Sequence, residues 1–231
     1  MNISSNAVYL LKQFFMIRLF SYLLAICFIL TSCEGAGIAD ITDGKEYKLY
    51  DYYIDKNGEE GIVVLGSSKD KYFLVMSLDE SECIWSKTGF SVADNDTLIR
   101  YYDERSLFLN QRATYLGLEN FPAFKWCLDK NRSKKYPDIN SWILPSLYYR
   151  SKPLTSRIRY NYELINEYIK SYGGTPLDPE ALYWLADEPS LVNTSSPVSD
   201  SEYSVAFTMS NDWTVSKEKK CKVRAFKYIL Y

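Results

Sequence analysis

Histidine is absent from all 231 residues. Its absence removes every Ser-His-Asp and Cys-His nucleophile system and the common histidine-bearing zinc sites. Chemistry would then fall to paired carboxylates, a Ser-Lys pair or a metal held by oxygen ligands. The sequence also lacks a G-x-S-x-G turn, a phosphate-cradling glycine-rich loop and a C-x-x-C pair. Charge of one sign is scarce as well: 27 Lys and Arg stand against 29 Asp and Glu, for a formal net charge of -2. With a pI near 5.4, the chain carries no electrostatic footprint for nucleic acid. No cofactor and no metal ligand set are expected. Together these absences shift the reading from catalysis toward binding.

What is present begins with an apolar run from Leu19 to Leu30 that closes on Leu30-Thr31-Ser32-Cys33. The run is short for a membrane span, and Arg18 before it supplies the positive region that a signal peptide needs. The motif resembles the lipobox of bacterial lipoproteins. That resemblance implies removal of residues 1–32, acylation of Cys33 and attachment to the outer membrane through lipid, with palmitate among the acyl chains. More than one chain is what stable attachment requires. Met16 offers a compact alternative start. Residues 33–46 are small and acidic and read as a tether, and 47–231 as a single domain of a size that supports a real core.

Along that domain, 47–54, 61–66 and 71–78 are short runs of Tyr, Ile, Val, Leu and Phe. They are separated by Asp55-Lys56-Asn57-Gly58 and by Ser67-Ser68-Lys69-Asp70, which predicts a three-stranded antiparallel meander. Apolar spacing of three and four around Phe124, Cys127 and Leu128 predicts a helix with Pro122 in its first turn. A second helix is predicted from Tyr162 to Tyr172, with Leu164, Ile165, Tyr168, Ile169 and Tyr172 as its stripe and Gly173-Gly174 as its stop. Leu177 to Pro197 reads as a long proline-rich loop with Leu182-Tyr183-Trp184 as an apolar island. Residues 203–208 and 221–229 read as strands that return to the sheet.

The order of these segments carries a further resemblance. It runs through Ile84-Trp85-Ser86, Phe121 to Cys127, Trp142-Ile143-Leu144-Pro145-Ser146, Tyr183-Trp184, Ala206-Phe207 and Val223-Arg224-Ala225-Phe226. Over about 47–228 it is similar to the Lcl C-terminal-like domain family of bacterial lipoproteins. That family's pattern passes from a helix with an Ala-Cys pair through W-R-L-P-T and Y-W-S-S to V-R-A-V. The resemblance implies an α+β, C-type-lectin-like fold with two helices packed on small antiparallel sheets and a long loop region, and a link to adhesion and glycan binding. It also implies a bridge between a helix cysteine and the last strand, which by motif position pairs Cys127 with Cys221. The chain departs from the pattern at Ile143, where the family has Arg, and at Leu185-Ala186-Asp187, where it has Ser-Ser-Thr. Pro153 falls where the family continues a helix. The calcium-lectin motifs are not reproduced, since Glu188-Pro189-Ser190 lacks the amide and Asn211-Asp212-Trp213 has its members in another order.

A loop held by a rigid scaffold is where recognition commonly sits. The candidate ligand-binding residues are therefore Asp187, Glu188, Asn193, Asn211, Asp212 and Trp213. Their carboxylates and amides would bond hydroxyl groups while the indole covers an apolar sugar face. Trp126, Trp142 and Trp184 are assigned to the core. The basic runs Lys130 to Lys135 and Lys217 to Lys222 are read as solvated, with polyanion binding as the alternative. The function expected is a lipid-anchored envelope binding or adhesion protein that recognises a glycan or surface protein. The first alternative is a subunit or tip of a surface appendage. The second is a carbohydrate-active enzyme, with Asp187-Glu188 or Asp178 and Glu180 flanking the glycosidic bond.

Overall fold

The computed structural model describes residues 46–67, 72–93, 105–132, 136–149, 152–192 and 198–230, all within one compact unit spanning Asp40–Tyr231. The signal segment, Cys33, the tether up to 45, most of the Ser67–Asp70 turn, Lys134, Lys135 and Asn193 lie outside the described residues.

The expected meander forms. β1 (Tyr52–Ile54), β2 (Glu60–Ser67) and β3 (Tyr72–Ser77) are consecutive antiparallel neighbours. Between β1 and β2, Asp55 holds the turn, accepting from Asn57 N at 2.8 Å and Glu59 N at 3.1 Å. Gly58 takes the positive φ of 81° there, a value that costs glycine little. The sheet is completed by β12 (Phe226–Leu230) and β5 (Trp142–Ile143), in the order β1-β2-β3-β12-β5. All six residues of β3 are buried, because both faces of this sheet are covered.

Helices account for the two covers. α1 (Arg105–Tyr115) and α2 (Pro122–Asp129) pack on one side, around Val63, Val75, Leu109, Phe124, Trp85 and Trp142. α3 (Leu154–Ser171) packs on the other, where Ile158, Ile165 and Ile169 share a core with Ile62, Leu74 and Met76. Pro122 opens α2 as expected. α3 starts eight residues earlier than the stripe predicted, directly after Pro153, which ends the preceding extended segment. It stops as the glycine pair implied: Gly173 N reaches Lys170 O at 3.1 Å, and Gly174 N reaches Ile169 O at 2.9 Å. That crossed pair, with Gly173 left-handed, is the Schellman arrangement. Only Ile165 and Ile169 of the five-residue stripe are fully buried, since Leu164 and Tyr168 are exposed and Tyr172 is half-buried. Tyr168 stacks instead on Tyr50, with ring centroids 5.2 Å apart.

A second sheet has the order β10-β9-β8-β11-β4, from β10 (Asp212–Ser216), β9 (Tyr203–Phe207), β8 (Tyr183–Trp184), β11 (Cys221–Val223) and β4 (Ser81–Cys83). The pair β6 (Tyr148–Tyr149) and β7 (Lys152–Pro153), a 3-10 turn at Leu118–Asn120 and the one-turn helix α4 (Pro189–Val192) complete the description. The α+β expectation therefore holds, with more strand and helix than the sequence suggested. The predicted loop from Leu177 to Pro197 contains β8 and α4. The predicted strand over 221–229 is two strands, one in each sheet.

The break between them has a physical cause. β3–β4 and β11–β12 run side by side as one antiparallel ribbon that passes from the first sheet into the second. At the crossing Arg224 is buried, and its guanidinium donates to Ser77 O at 2.9 Å, to Glu80 Oε2 at 2.9 Å and to Thr175 O. Ser77 and Ala225 exchange backbone and side-chain bonds across the same point. The polar groups freed by leaving one sheet for another are thus satisfied by a single arginine and a serine.

The core is aromatic. Trp85, Trp142 and Trp184 are fully buried, and each indole N–H finds an acceptor: Leu185 O at 2.7 Å, Asp55 Oδ2 at 2.9 Å and Cys83 O at 3.0 Å. Trp126 is only partly buried and lies 4.7 Å beneath Lys130 Nζ.

Candidate functional site

The candidate residues separate into two groups with opposite roles. Asp187 and Glu188 were expected on an accessible loop, and both are fully buried. Asp187 follows β8, and its carboxylate receives Arg105 Nη1 at 3.2 Å, Ser146 Oγ at 2.8 Å and Leu147 N at 2.6 Å. It therefore fastens α1 and the segment after β5 to the end of β8. With those partners its oxygens are taken, and it faces no ligand.

Glu188 is occupied in the same way. It accepts from Ser91 Oγ at 2.8 Å, from Ala93 N at 2.5 Å and from Lys217 Nζ. Lys217 is itself fully buried, donates to Phe90 O at 2.7 Å and to Asp200 O, and lies 4.2 Å from the centre of the Trp85 ring. Burial pushes the Glu188 carboxyl up to about 6, against the pull of Lys217, and lowers the Lys217 ammonium. The pair Asp187-Glu188 cannot flank a glycosidic bond in this arrangement, because neither group is open to a cleft. The basic runs are likewise spent internally at their ends. Lys130 bonds Glu59 at 3.0 Å and Asp79 at 2.6 Å, Lys217 bonds Glu188, and Lys222 bonds Glu80 at 2.6 Å.

The other group stays open. β9 and β10 form a hairpin whose turn, 208–211, is closed by Thr208 N to Asn211 O at 2.8 Å. Thr208 Oγ1 accepts from Ser210 N at 3.2 Å and from Asn211 N at 3.1 Å. Such hydroxyl-to-backbone bonds are what threonine offers a turn. Asn211 was read as part of a polar turn, correctly, but Asp212 and Trp213 already belong to β10. They lie opposite Phe207 and Ala206. β10 lies at the edge of its sheet, where Val215 is buried and Trp213, on the same face but nearer the turn, stays 51% exposed.

Arg159 of α3 clamps this hairpin. Its Nη2 meets Asp212 Oδ1 at 2.5 Å, its Nε meets Thr208 O at 2.9 Å, and its Nη1 meets Thr155 Oγ1 at 3.3 Å. The guanidinium carbon also lies 5.9 Å from the Phe207 ring centre. Nothing in the sequence pattern marked Arg159, because a helix arginine reads as solvated; its spacing from Thr155 is the only local signal. The result is a fixed hairpin end at which Asp212, on the face held by Arg159, and the exposed indole of Trp213, on the opposite face, follow Asn211 in the turn. Groups of that kind bond hydroxyls and cover an apolar face.

The cysteines are placed differently from the pairing expected by motif position. Cys127 and Cys221 are free thiols, as is Cys83. Cys221 stands opposite Cys83 in the β4–β11 ladder.

No protein-family model and no curated protein matches the chain. Among solved structures the chain is similar to a fimbrial protein from Bacteroides ovatus ATCC 8483, with a TM-score of 0.52 and 16% sequence identity. The likeness covers 80% of this chain and 49% of that one, so the chain spans about half the length of the fimbrial protein it matches. At this identity the likeness is one of fold.

Proposed function

We propose that the chain is a lipid-anchored component of the cell envelope that works as a subunit or tip of a surface appendage. The observation that carries this reading is the fold shared with a fimbrial protein over four-fifths of the chain's length. It is joined by the Leu30-Thr31-Ser32-Cys33 motif, which supplies export and attachment to the outer membrane. A buried framework of ion pairs suits such a role, because it holds one surface in a fixed shape while the rest of the chain anchors. The test is native isolation: the full chain, sheared from the cell surface or extracted in mild detergent, should co-purify with a defined set of other chains at constant ratio. Recovery of the chain alone, at monomer size, from intact envelopes would remove the appendage reading.

The exposed Trp213 beside Asn211 and Asp212 favours a second reading, recognition of a glycan or surface protein by the β9–β10 turn. The C-type-lectin-like arrangement implied by the Lcl resemblance belongs with this reading. A glycan-array screen of the soluble domain, followed by Trp213→Ala, separates it from the first, since a glycan binder acts without partner chains.

A further inference from the structure

We propose that the flank of α3 bearing Tyr160, Leu164 and Tyr168, with the Leu49-Tyr50 turn beside it, is a docking face for the phospholipid surface to which the chain is anchored. The three helix residues stand four apart, so they fall within about 80° of the helix circumference. All three are exposed, Tyr160 to 88%. The row lies beside the core-facing Ile158, Ile165 and Ile169 rather than among them. Glu163, Glu167 and Lys170 are exposed on its other side. An apolar band therefore runs along the helix between the core and the charged surface, in the plane that an interfacial helix buries in the headgroup layer.

The turn continues the band. Tyr50, stacked on Tyr168, holds a left-handed φ of 72°, which a bulky residue rarely adopts. Two bonds fix it there: Tyr50 N donates to Val63 O at 2.7 Å, and Tyr172 Oη donates to Tyr50 O at 3.0 Å. Tyr172 also packs on Tyr168 and on Tyr52, with ring centroids 6.2 and 5.3 Å apart, and Leu49 is exposed at the tip of the turn. Tyrosine suits a bilayer interface, because its ring enters the headgroup layer while its hydroxyl stays hydrated. At the far end of the band Tyr160 borders a groove of about 370 Å³ lined by Leu65, Pro153, Ser156 and Arg157. Arg157 is exposed at that groove, where a guanidinium can meet a lipid phosphate.

The place where the chain is held decides what covers the band, so the proposal rests on the lipid-anchor reading. Fourteen residues of sequence lead from Cys33 to Tyr47. Fully extended they span at most about 50 Å, against a width of about 40 Å for a domain of this size. Tyr47 is buried against Tyr53, directly before the turn that Asp51 N closes on Lys48 O at 3.2 Å. The chain thus enters the domain at one end of the band, and the bilayer is kept within about one domain width of it. Every anchored molecule has a bilayer at that spot, whereas a second copy meets it only by encounter. Under the appendage reading, such a face narrows the role from tip to membrane-proximal subunit.

The test uses the chain as extracted from cell envelopes, reconstituted into vesicles of phosphatidylethanolamine and phosphatidylglycerol, with and without lipid brominated high on its acyl chains. Tyr160→Trp adds an indole to the band. Tyr115→Trp adds one at an exposed position on α1, across the sheet from α3. After subtraction of the wild-type emission, the indole added by Tyr160→Trp should lose about half its emission to bromine, as expected of a ring seated in the headgroup layer. The indole added by Tyr115→Trp should lose none. Leu164→Ser, combined with Tyr160→Trp, should reduce the loss. Intact mass of the same sample reports acylation. An acylated chain with equal loss at both positions, or loss at neither, overturns the docking face and leaves the anchor standing. A chain without acyl groups overturns the proposal through its premise. An unquenched indole in protein that runs at dimer size in mild detergent overturns the lipid assignment in favour of a second copy.

Discussion

Lys217 reaches Glu188 inside the protein, with neither side chain exposed to solvent. Two ionisable groups removed from water in this way cost several kcal/mol each, and their attraction offsets that only with further hydrogen bonds. Those bonds are present: Phe90 O and Asp200 O for the ammonium, Ser91 Oγ and Ala93 N for the carboxylate. The pair therefore joins four stretches that are separate in sequence, around residues 90, 188, 200 and 217.

This pair should leave a signature in the pH dependence of stability. The folded-state value of Glu188 is about 6 against an ordinary 4.5, so the folded chain holds that proton more tightly. Its contribution is fully present below about pH 4.5 and is lost as pH rises through about 6. Relative to Glu188→Gln, the wild-type chain should lose about 2 kcal/mol between pH 4.5 and 7. Urea unfolding of both proteins across that range measures the difference, and a flat difference would contradict the assignment.

Asp187 should be the more damaging single loss. Asp187→Ala strands Arg105 inside the protein and leaves Leu147 N and Ser146 Oγ without their acceptor. Breaking a buried pair of this kind costs about 3–5 kcal/mol, a large share of a stability of about 5–15 kcal/mol. Equilibrium denaturation should show a lowered midpoint at an unchanged slope.

The hairpin should behave in the opposite way. Trp213→Ala and Asp212→Ala should each leave Tm within a few degrees, because the indole is half exposed and the Arg159–Asp212 pair lies near the surface, where such pairs contribute about 0–1 kcal/mol. Each should weaken binding of a glycan or protein found by screening by about tenfold. Titration calorimetry decides, and unchanged affinity in both variants would move the recognition surface elsewhere.

The proposed lipid attachment should depend on one sulfur atom. Under the proposed lipobox reading Cys33→Ser removes the thiol that would be acylated, so palmitate labelling and sedimentation with membranes should both disappear. A variant that is still labelled and still sediments would contradict the lipobox reading.

The sequence made local features legible and hid the long-range ones. The Asn57-Gly58 turn, Pro122 at a helix start and Gly173-Gly174 at a helix end all act within a few residues, and the structure keeps each of them. α1 was not foreseen, because Arg105, Ser106 and Asn110 are polar and yet buried. Asn110 is satisfied by Leu144 O and N, at 2.8 and 3.0 Å, on a segment more than thirty residues away. β8 is two residues long and exists only because β9 and β11 flank it. Asp187 and Glu188 look like loop acids for the same reason: their partners Arg105 and Lys217 come from remote parts of the chain. Asn211, Asp212 and Trp213, by contrast, are exposed as their composition suggested, because a local turn and an edge strand place them.

The ribbon that crosses from one sheet to the other also governs when the chain can become folded. β12 is the sole link between β3 and β5, and β11 the sole link between β8 and β4. Residues 221–230 must therefore be synthesised before either sheet can close, and pairings across such sequence separations form slowly. During that interval the nascent chain is held back from its final pairing, so the topology itself couples completion of both sheets to the arrival of the last strands.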